Sequence, residues 1–288
     1  MATPAACDIR QALEQATGLL AELPDARREA EWLLMDTLPC SRAWLFSHGD
    51  QTLEQQCWRQ FLEKVERRAA GEPLAYVLGH CDFRDLKLMV SPAVLIPRPE
   101  TEWLVEEVLR QLPGEALQVA DLGTGSGAIA LSLAWDRPRW QLWATDISAR
   151  ALDVARRNAA ALGLESVRFL QGSWFEVLPG GQRFDAVVSN PPYVEPGAAA
   201  LDDAVARHEP ELALYAGLRG MAVLQHLIAE ASTRLRPDGL LALEHGHEQG
   251  AAVRDRMQVA GYQAIRTHRD LGGHERFTVA RWREQSHA

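Results

Sequence analysis

Along the first 73 residues the apolar positions fall at helical spacing: Ile9, Leu13, Leu19 and Leu20, then Ala30, Leu33 and Leu34, then Trp58, Phe61, Leu62 and Val65. No strand alternation interrupts them, so residues 1–73 are expected to form a helical domain of three to five short helices. Its breaks fall at Leu23-Pro24-Asp25, from Pro39 to Ser41 and at Ser47-His48-Gly49-Asp50, where Asp25, Ser41 and Asp50 can serve as helix N-caps. Gly71-Glu72-Pro73 ends the bundle. Residues 74–98 then turn β-like, with Tyr76-Val77-Leu78 and Leu86-Lys87-Leu88-Met89-Val90 flanking a polar turn at Asp82 to Asp85, which predicts a linking hairpin.

From residue 99 to residue 288 helix and strand alternate, the pattern of a doubly wound α/β sheet. Helices are expected over Glu100 to Leu112, Ser126 to Ala134, Ala149 to Leu162, Gly220 to Leu235 and Glu248 to Ala260. Strands are expected over Gln118 to Leu122, Gln141 to Thr145, Val167 to Gln171, Phe184 to Ser189, Leu240 to Glu244, Tyr262 to Thr267 and Phe277 to Arg281, seven in all. Only the nine residues Thr267 to Glu275 join the last two. That is too few for a helical crossover, so this pair should run antiparallel and make the sheet mixed.

Composition narrows the function classes. The 288 residues are 47% hydrophobic, enough for a sizeable core, and the longest apolar stretches, such as Gly239 to Leu243, fall far short of the roughly 20 residues that span a bilayer. The N-terminus lacks a basic region followed by an apolar core, so a cytoplasmic location is expected. Cys7, Cys40, Cys57 and Cys81 form no CxxC pair and read as free thiols, and no metal-ligand set is expected. A net charge of −9 argues against stable binding to a long nucleic acid, whose partners carry a basic face.

Two motifs carry chemistry. Asp121-Leu122-Gly123-Thr124-Gly125-Ser126-Gly127 closes one apolar strand and opens a helix, the place where an α/β sheet binds a nucleotide-like ligand. Its three glycines let backbone approach a ligand and helix-terminal N–H groups face an anion such as a carboxylate. The spacing is neither the dinucleotide GxGxxG nor a phosphate-binding P-loop. Asp146, nineteen residues beyond Gly127, ends the next strand and can accept from two ribose hydroxyls, or else cap the helix after Ile147-Ser148. A methionine carboxylate at one end and a ribose at the other describe S-adenosylmethionine, with S-adenosylhomocysteine as product. Trp174 can stack on an adenine or simply pack in the core, and Asp121 is expected to orient the glycine loop through hydrogen bonds.

The second motif, Asn190-Pro191-Pro192-Tyr193, follows the apolar run Phe184 to Ser189. The Asn190 side-chain carbonyl and the Pro191 backbone carbonyl offer two acceptors that can hold both hydrogens of a planar NH₂ group. The prolines stiffen the loop, and Tyr193 can pack on the acceptor plane. Adenine N6 and a glutamine amide both satisfy this description. Gly180-Gly181-Gln182, after Pro179, reads as a turn.

The chain resembles the bacterial release factor glutamine methyltransferase family through Gly71 to Gly79, Val94-Leu95-Ile96-Pro97-Arg98-Pro99-Glu100-Thr101-Glu102, the glycine loop, Asn190 to Val194, His208-Glu209-Pro210 and Asp270 to Arg276. The resemblance implies a Rossmann-like class I methyltransferase fold behind a small helical domain that docks the substrate. It implies that Gly123, Thr124, Gly125, Ser126, Gly127, Asp146, Trp174 and Asn190 contact S-adenosylmethionine. Asn190, Pro191, Pro192 and Tyr193 would hold the glutamine of a Gly-Gly-Gln loop, with Arg98 and Glu100 bordering the pocket and Phe83 near the substrate entrance. The implied partners are peptide chain release factors 1 and 2, met by a monomer. Arg98 and Glu102 could alternatively be a surface ion pair. Phe83-Arg84-Asp85-Leu86 departs from the family in lacking a glycine before the leucine, and Ser173 stands where many relatives carry Asp. Other readings are a glutamine methyltransferase of a ribosomal protein, an adenine N6 methyltransferase of DNA or RNA, and a binding protein that keeps the fold without turnover; the acidic balance and the absence of a basic, aromatic-interleaved region weigh against nucleic acid.

Overall fold

A computed structural model describes residues 7–114, 116–193, 207–214 and 220–283. Val194 of the second motif lies outside the described residues. The chain divides into two compact units, residues 1–79 with 203–208, and residues 80–202 with 209–288.

The first unit holds helices α1 (Ile9–Leu19), α2 (Ala26–Thr37), α3 (Arg42–Ser47), α4 (Gln55–Ala69) and α5 (Leu74–Leu78). Their apolar stripes meet in one core of Ile9, Leu13, Leu20, Leu33, Leu34, Trp58, Phe61 and Val65, whereas Leu19 faces out. The Ser41 hydroxyl accepts from the Trp44 N–H and caps α3, but Asp25 makes no side-chain cap bond. Asp50 is not a cap either: α4 starts five residues later, at Gln55 after the N-cap position Glu54, and the Asp50 carboxylate instead pairs with Arg10 at 2.7 Å. An unforeseen capping box opens α1, where the Asp8 carboxylate accepts from the Gln11 N–H and the Gln11 side chain accepts from the Asp8 N–H. Tyr76-Val77-Leu78, expected as a strand, is helical. The Tyr76 and Val77 N–H groups return to the Pro73 carbonyl, and Gly79 ends the turn at φ +77°. Apolar runs this short fit a buried helix as well as a strand.

The second unit opens with a hairpin, β1 (His80–Phe83) and β2 (Leu86–Met89), shorter and later than expected. Helices α6 (Pro99–Gln111), α7 (Ala128–Asp136) and α8 (Ala149–Leu162) alternate with β3 (Gln118–Leu122), β4 (Gln141–Asp146), β5 (Arg168–Gln171) and β6 (Phe184–Ser189). After a turn of helix at Glu211–Leu214 come α9 (Gly220–Arg234), β7 (Leu235–Glu244), α10 (Gly250–Val259), β8 (Tyr262–Arg269) and β9 (Glu275–Trp282). The seven-stranded sheet runs β5-β4-β3-β6-β7-β9-β8, parallel from β5 to β7, with β9 antiparallel to both its neighbours as the short connection required.

Both faces of the sheet are covered, and period-2 alternation assigns each residue to one of them. Val119, Ala144, Val188 and Ala242 meet Leu104 and Val108 of α6, Leu131 of α7 and Phe83, Leu86 and Leu88 of the hairpin. Ala120, Leu122, Val187 and Leu241 meet Leu224 and Leu227 of α9 and Met257 of α10. Continuous apolar strands such as Ala186-Val187-Val188 follow from burial on both sides. No helix among the described residues is long and apolar enough to cross a membrane.

The hairpin is fastened to the sheet layer by Asn158 of α8, which is buried. Its Oδ1 accepts from the Met89 N–H at 2.7 Å, and its NH₂ donates to the carbonyls of Met89 at 3.0 Å and Ser126 at 2.9 Å. An Asn158→Leu substitution would strand three backbone groups, one of them in the glycine loop. It is expected to lower unfolding free energy by roughly 2–4 kcal/mol in urea denaturation, with no loss of helix content in the folded state.

Candidate active site

The strand order reverses between β3 and β6, the switch point at which open α/β sheets place their ligands. The loops after β3, β4, β5 and β6 surround a cavity of about 1060 Å³, mouth included, lined by Gly123 to Ser126, Asp146, Trp174, Asn190 and Pro192 together with Thr101 and the Ala93-Val94-Leu95 segment.

The glycine loop is built from the strand ends. The Gly123 and Thr124 N–H groups both donate to the Thr145 carbonyl of β4, at 2.8 and 2.9 Å. Gly123 (φ +73°), Gly125 (φ +56°) and Gly127 (φ +86°) take left-handed backbone, which side chains disfavour. A Cβ at Gly127 would also lie 2.9 Å from the Leu131 side chain and one at Gly123 would lie 3.1 Å from the Trp174 ring, whereas at Gly125 it would meet nothing and face open space. Asp121 orients this loop as expected: its Oδ2 accepts from the Thr124 hydroxyl at 2.6 Å and the Ala130 N–H at 3.1 Å. Asp146 ties the loop to its neighbour, with Oδ2 accepting from the Gly125 N–H and Oδ1 from the Ser148 N–H. The cap of α8 is Ser148, not Asp146. Burial outweighs these hydrogen bonds and raises the pKa of both carboxylates, that of Asp121 to about 7.

On the β6 side, the Ser189 hydroxyl donates to the Leu122 carbonyl at 2.6 Å and brings Asn190 to the cavity wall. The Asn190 NH₂ donates to the Thr101 hydroxyl at 3.1 Å, and that hydroxyl donates to Oε2 of Glu244 at 2.7 Å. The other oxygen, Oε1, accepts from the Tyr193 hydroxyl at 3.4 Å. Gln249 donates to the Tyr193 carbonyl at 3.1 Å. Burial lifts the Glu244 carboxyl to about 7 and also raises Tyr193.

Sequence reasoning singled out neither Thr101 nor Glu244. Thr101 sits inside the motif Val94 to Glu102, flanked by charged residues that drew the attention. Glu244 carried a signal in the sequence, as a lone carboxylate ending the apolar run Leu240 to Leu243. One other assignment and one alternative reading need correction. Phe83 is 1% exposed in the core beneath the hairpin and does not line the cavity, because the short β1 points it into the sheet layer. Arg98 pairs with Glu209 at 2.6 Å rather than with Glu102, whose carboxylate accepts from the Arg84 N–H at 3.0 Å; the Ile96 N–H also donates to Glu209. Arg98 and Glu100 stand outside the cavity lining, Glu100 facing Arg276 at 3.8 Å. Ser173 does line it. Gly180 to Gln182 form a turn, with Gly181 at φ +76° and the Gln182 N–H returning to the Pro179 carbonyl.

Comparison with known proteins identifies the family. Residues 11–79 match the model of the PrmC N-terminal domain and residues 100–208 that of the methyltransferase small domain. The release factor glutamine methyltransferase of Xylella fastidiosa is 50% identical over 256 residues, 88% of this chain and 93% of that protein. Its Escherichia coli counterpart is 41% identical over 94% of this chain and 97% of that protein. The chain belongs to the release factor glutamine methyltransferase family. Among solved structures, a Thermus thermophilus 16S rRNA methyltransferase in complex with AdoMet and guanosine aligns with TM-score 0.52 at 22% identity, over 71% of this chain and 50% of that one, and so shares the fold. The second unit is thus a methyltransferase of class I architecture, and the glycine loop and Asn190 to Tyr193 stand at the carboxyl ends of its central strands β3 and β6.

Asp121 supplies a test of the electrostatics. With its pKa near 7 in the fold and in the ordinary carboxylate range when unfolded, the native state holds a proton that the unfolded chain has released between those values. Its contribution to stability therefore falls as pH rises through that window, by at most about 1.4 kcal/mol per pH unit. Asp121→Asn removes this term, so the stability of the variant relative to the unsubstituted protein should climb between about pH 4.5 and pH 7 in denaturation series. A constant difference would show that Asp121 is ionised throughout.

Proposed function

We propose that this chain methylates the side-chain amide nitrogen of the glutamine in the Gly-Gly-Gln segment of peptide chain release factors 1 and 2, with S-adenosylmethionine as donor. The observation that carries the reading is the placement of Asn190: its NH₂ is tied to Thr101 and the residue lines the cavity that the glycine loop also lines, so that Oδ1 is the end left to accept. The family names of the relatives support the substrate, and the AdoMet of the structural neighbour supports the donor.

The residues present fit that donor. Gly123 to Gly127 leave the backbone bare at Gly125, where a carboxylate can meet N–H groups at the start of α7. Asp146 keeps lone pairs on both oxygens for ribose hydroxyls, and Trp174, packed over Gly123, offers a flat face to a base. The donor supplies an electrophilic methyl group on a cationic sulfur.

The remaining chemistry is orientation. An amide nitrogen is conjugated and poorly nucleophilic, so its lone pair must be aimed. Asn190 Oδ1 and the Pro191 carbonyl can accept the two hydrogens of the glutamine NH₂ and turn the amide plane toward the methyl. Pro191 and Pro192 contribute no competing N–H, and Tyr193 can lie along the amide face. Arg98 and Glu100 border the approach from outside the lining. No base is required in the site, because the nitrogen becomes acidic only as the methyl is transferred and its proton can leave afterward. The helical unit would dock the release factor, with the enzyme acting as a cytoplasmic monomer.

Incubation with labelled S-adenosylmethionine and purified release factor should methylate one glutamine, located by mass spectrometry. Asn190→Ala should fold and lose about 10²-fold or more in turnover. Label in DNA or in a ribosomal protein, with none in the release factor, would refute the reading.

A further inference from the structure

We infer that Thr101 and Glu244 are positioning residues that dictate which end of the Asn190 side-chain amide faces the substrate; the inference rests on the function proposed above. The two ends of an asparagine amide are nearly isosteric but chemically opposite. With Oδ1 toward the cavity, Asn190 accepts a hydrogen from an incoming NH₂ group. Flipped, it would present its own NH₂ and repel that group. Shape alone does not choose between the two, so the choice has to come from the partner at the other end.

The hydrogen-bond chain makes that choice. An ionised carboxylate only accepts, so the Thr101 hydroxyl, 2.7 Å from Glu244 Oε2, must give it its single proton. The Thr101 oxygen then has only lone pairs left, and the group 3.1 Å away on Asn190 must be the donor, Nδ2. Oδ1 is left for the cavity by elimination. Through Oε1, the same carboxylate accepts from the Tyr193 hydroxyl, so Glu244 holds both ends of the Asn190 to Tyr193 tetrapeptide. Thr101 is on α6 and Glu244 at the end of β7, two elements fixed by the core, and both side chains are buried.

A buried carboxylate is a poor choice for stability, since burial penalises its charged form. Among the described residues Glu244 is hydrogen-bonded to two hydroxyls, that of Thr101, which reaches Asn190, and that of Tyr193, and of the charged groups that act on it Glu100 of α6 opposes its ionisation while Arg276 of β9 favours it. Its pKa of about 7 means that protonation is within reach. A protonated Glu244 can donate to Thr101, and the direction of the chain is then no longer imposed. Turnover should therefore rise with pH to a plateau above about 7, and this limb should vanish when the group cannot ionise.

The test compares Thr101→Val, which keeps the shape and deletes the hydroxyl, with Thr101→Ser, which restores it, and adds Glu244→Gln. Thr101→Val should lose about 10- to 100-fold in kcat while the Kd for S-adenosylmethionine measured by calorimetry stays within about threefold; Thr101→Ser should recover most of the loss. Glu244→Gln should flatten the pH limb of kcat. Equal kcat in the Val and Ser variants, a loss in Thr101→Val that tracks weaker cofactor binding, or a limb that survives in Glu244→Gln overturns the inference. A second readout needs no methyl transfer: by NMR, the Asn190 side-chain NH₂ should be protected from hydrogen exchange in the unsubstituted protein and in Thr101→Ser, and exposed to it in Thr101→Val. If the unsubstituted enzyme fails to methylate release factor, the proposed function fails, whereas the NMR comparison still decides whether Thr101 orients Asn190.

Discussion

The parallel register of β3, β4 and β6 is the constraint on which the site depends. It sets Leu122 beside Thr145 on one side and Ser189 on the other, so three chain segments leave the sheet at one level. Parallel strands end with carbonyls and N–H groups that the sheet no longer satisfies. Here the groups pair across the strand ends: Thr145 takes two N–H donors from the glycine loop and Leu122 takes the Ser189 hydroxyl. The site is thus a by-product of completing the backbone hydrogen bonding at one edge. A shift of one residue in any of the three strands would reverse its faces and exchange the core for the site.

Three carboxylates, Asp121, Asp146 and Glu244, stand at the last or next-to-last position of strands of the sheet, and all three are held above the usual range by burial. Elsewhere in the chain the acids with resolved shifts, Glu72, Glu107, Asp270 and Glu275, are lowered, each with a hydrogen-bonded arginine partner. The contrast separates two uses of charge. Paired acids fasten turns and helices. Among the described residues the strand-end acids have no bonded cation and spend their lone pairs on backbone N–H and hydroxyl groups around the site, so they organise donors and acceptors at the expense of stability.

What could be read in the sequence follows from how local each signal is. The seven strands, the antiparallel ending and α8 were legible because period and connection length are properties of contiguous residues. The glycine loop, Asp146, Trp174 and Asn190 were legible as motifs, and the structure gathers them at one cavity. Tyr76 to Leu78 misled because an apolar triplet has no period to read. The alternative pairing of Arg98 with Glu102 gives way to Glu209, a partner distant in sequence. Glu244 and Thr101 escaped notice for the same reason: Glu244 stands out locally, but its meaning is a hydrogen bond to a residue 143 positions away.

The hairpin shows how such a distant partner rescues a local departure. Phe83-Arg84-Asp85-Leu86 lacks the glycine that a left-handed turn position favours, and Arg84 nevertheless adopts φ +50°. Two contacts hold it there: its N–H donates to Glu102 of α6, and its guanidinium pairs with Asp136 of α7 at 2.7 Å. The turn therefore borrows its conformation from the helices beneath it. Glu102 is the neighbour of Thr101 on the first turn of α6, so the bond that permits a non-glycine turn also braces the stretch of helix that presents Thr101 to Asn190. Read locally, Arg84 is a defect in a hairpin. Read with its partners, it is one of the supports by which α6 keeps the acceptor motif in register with the glycine loop.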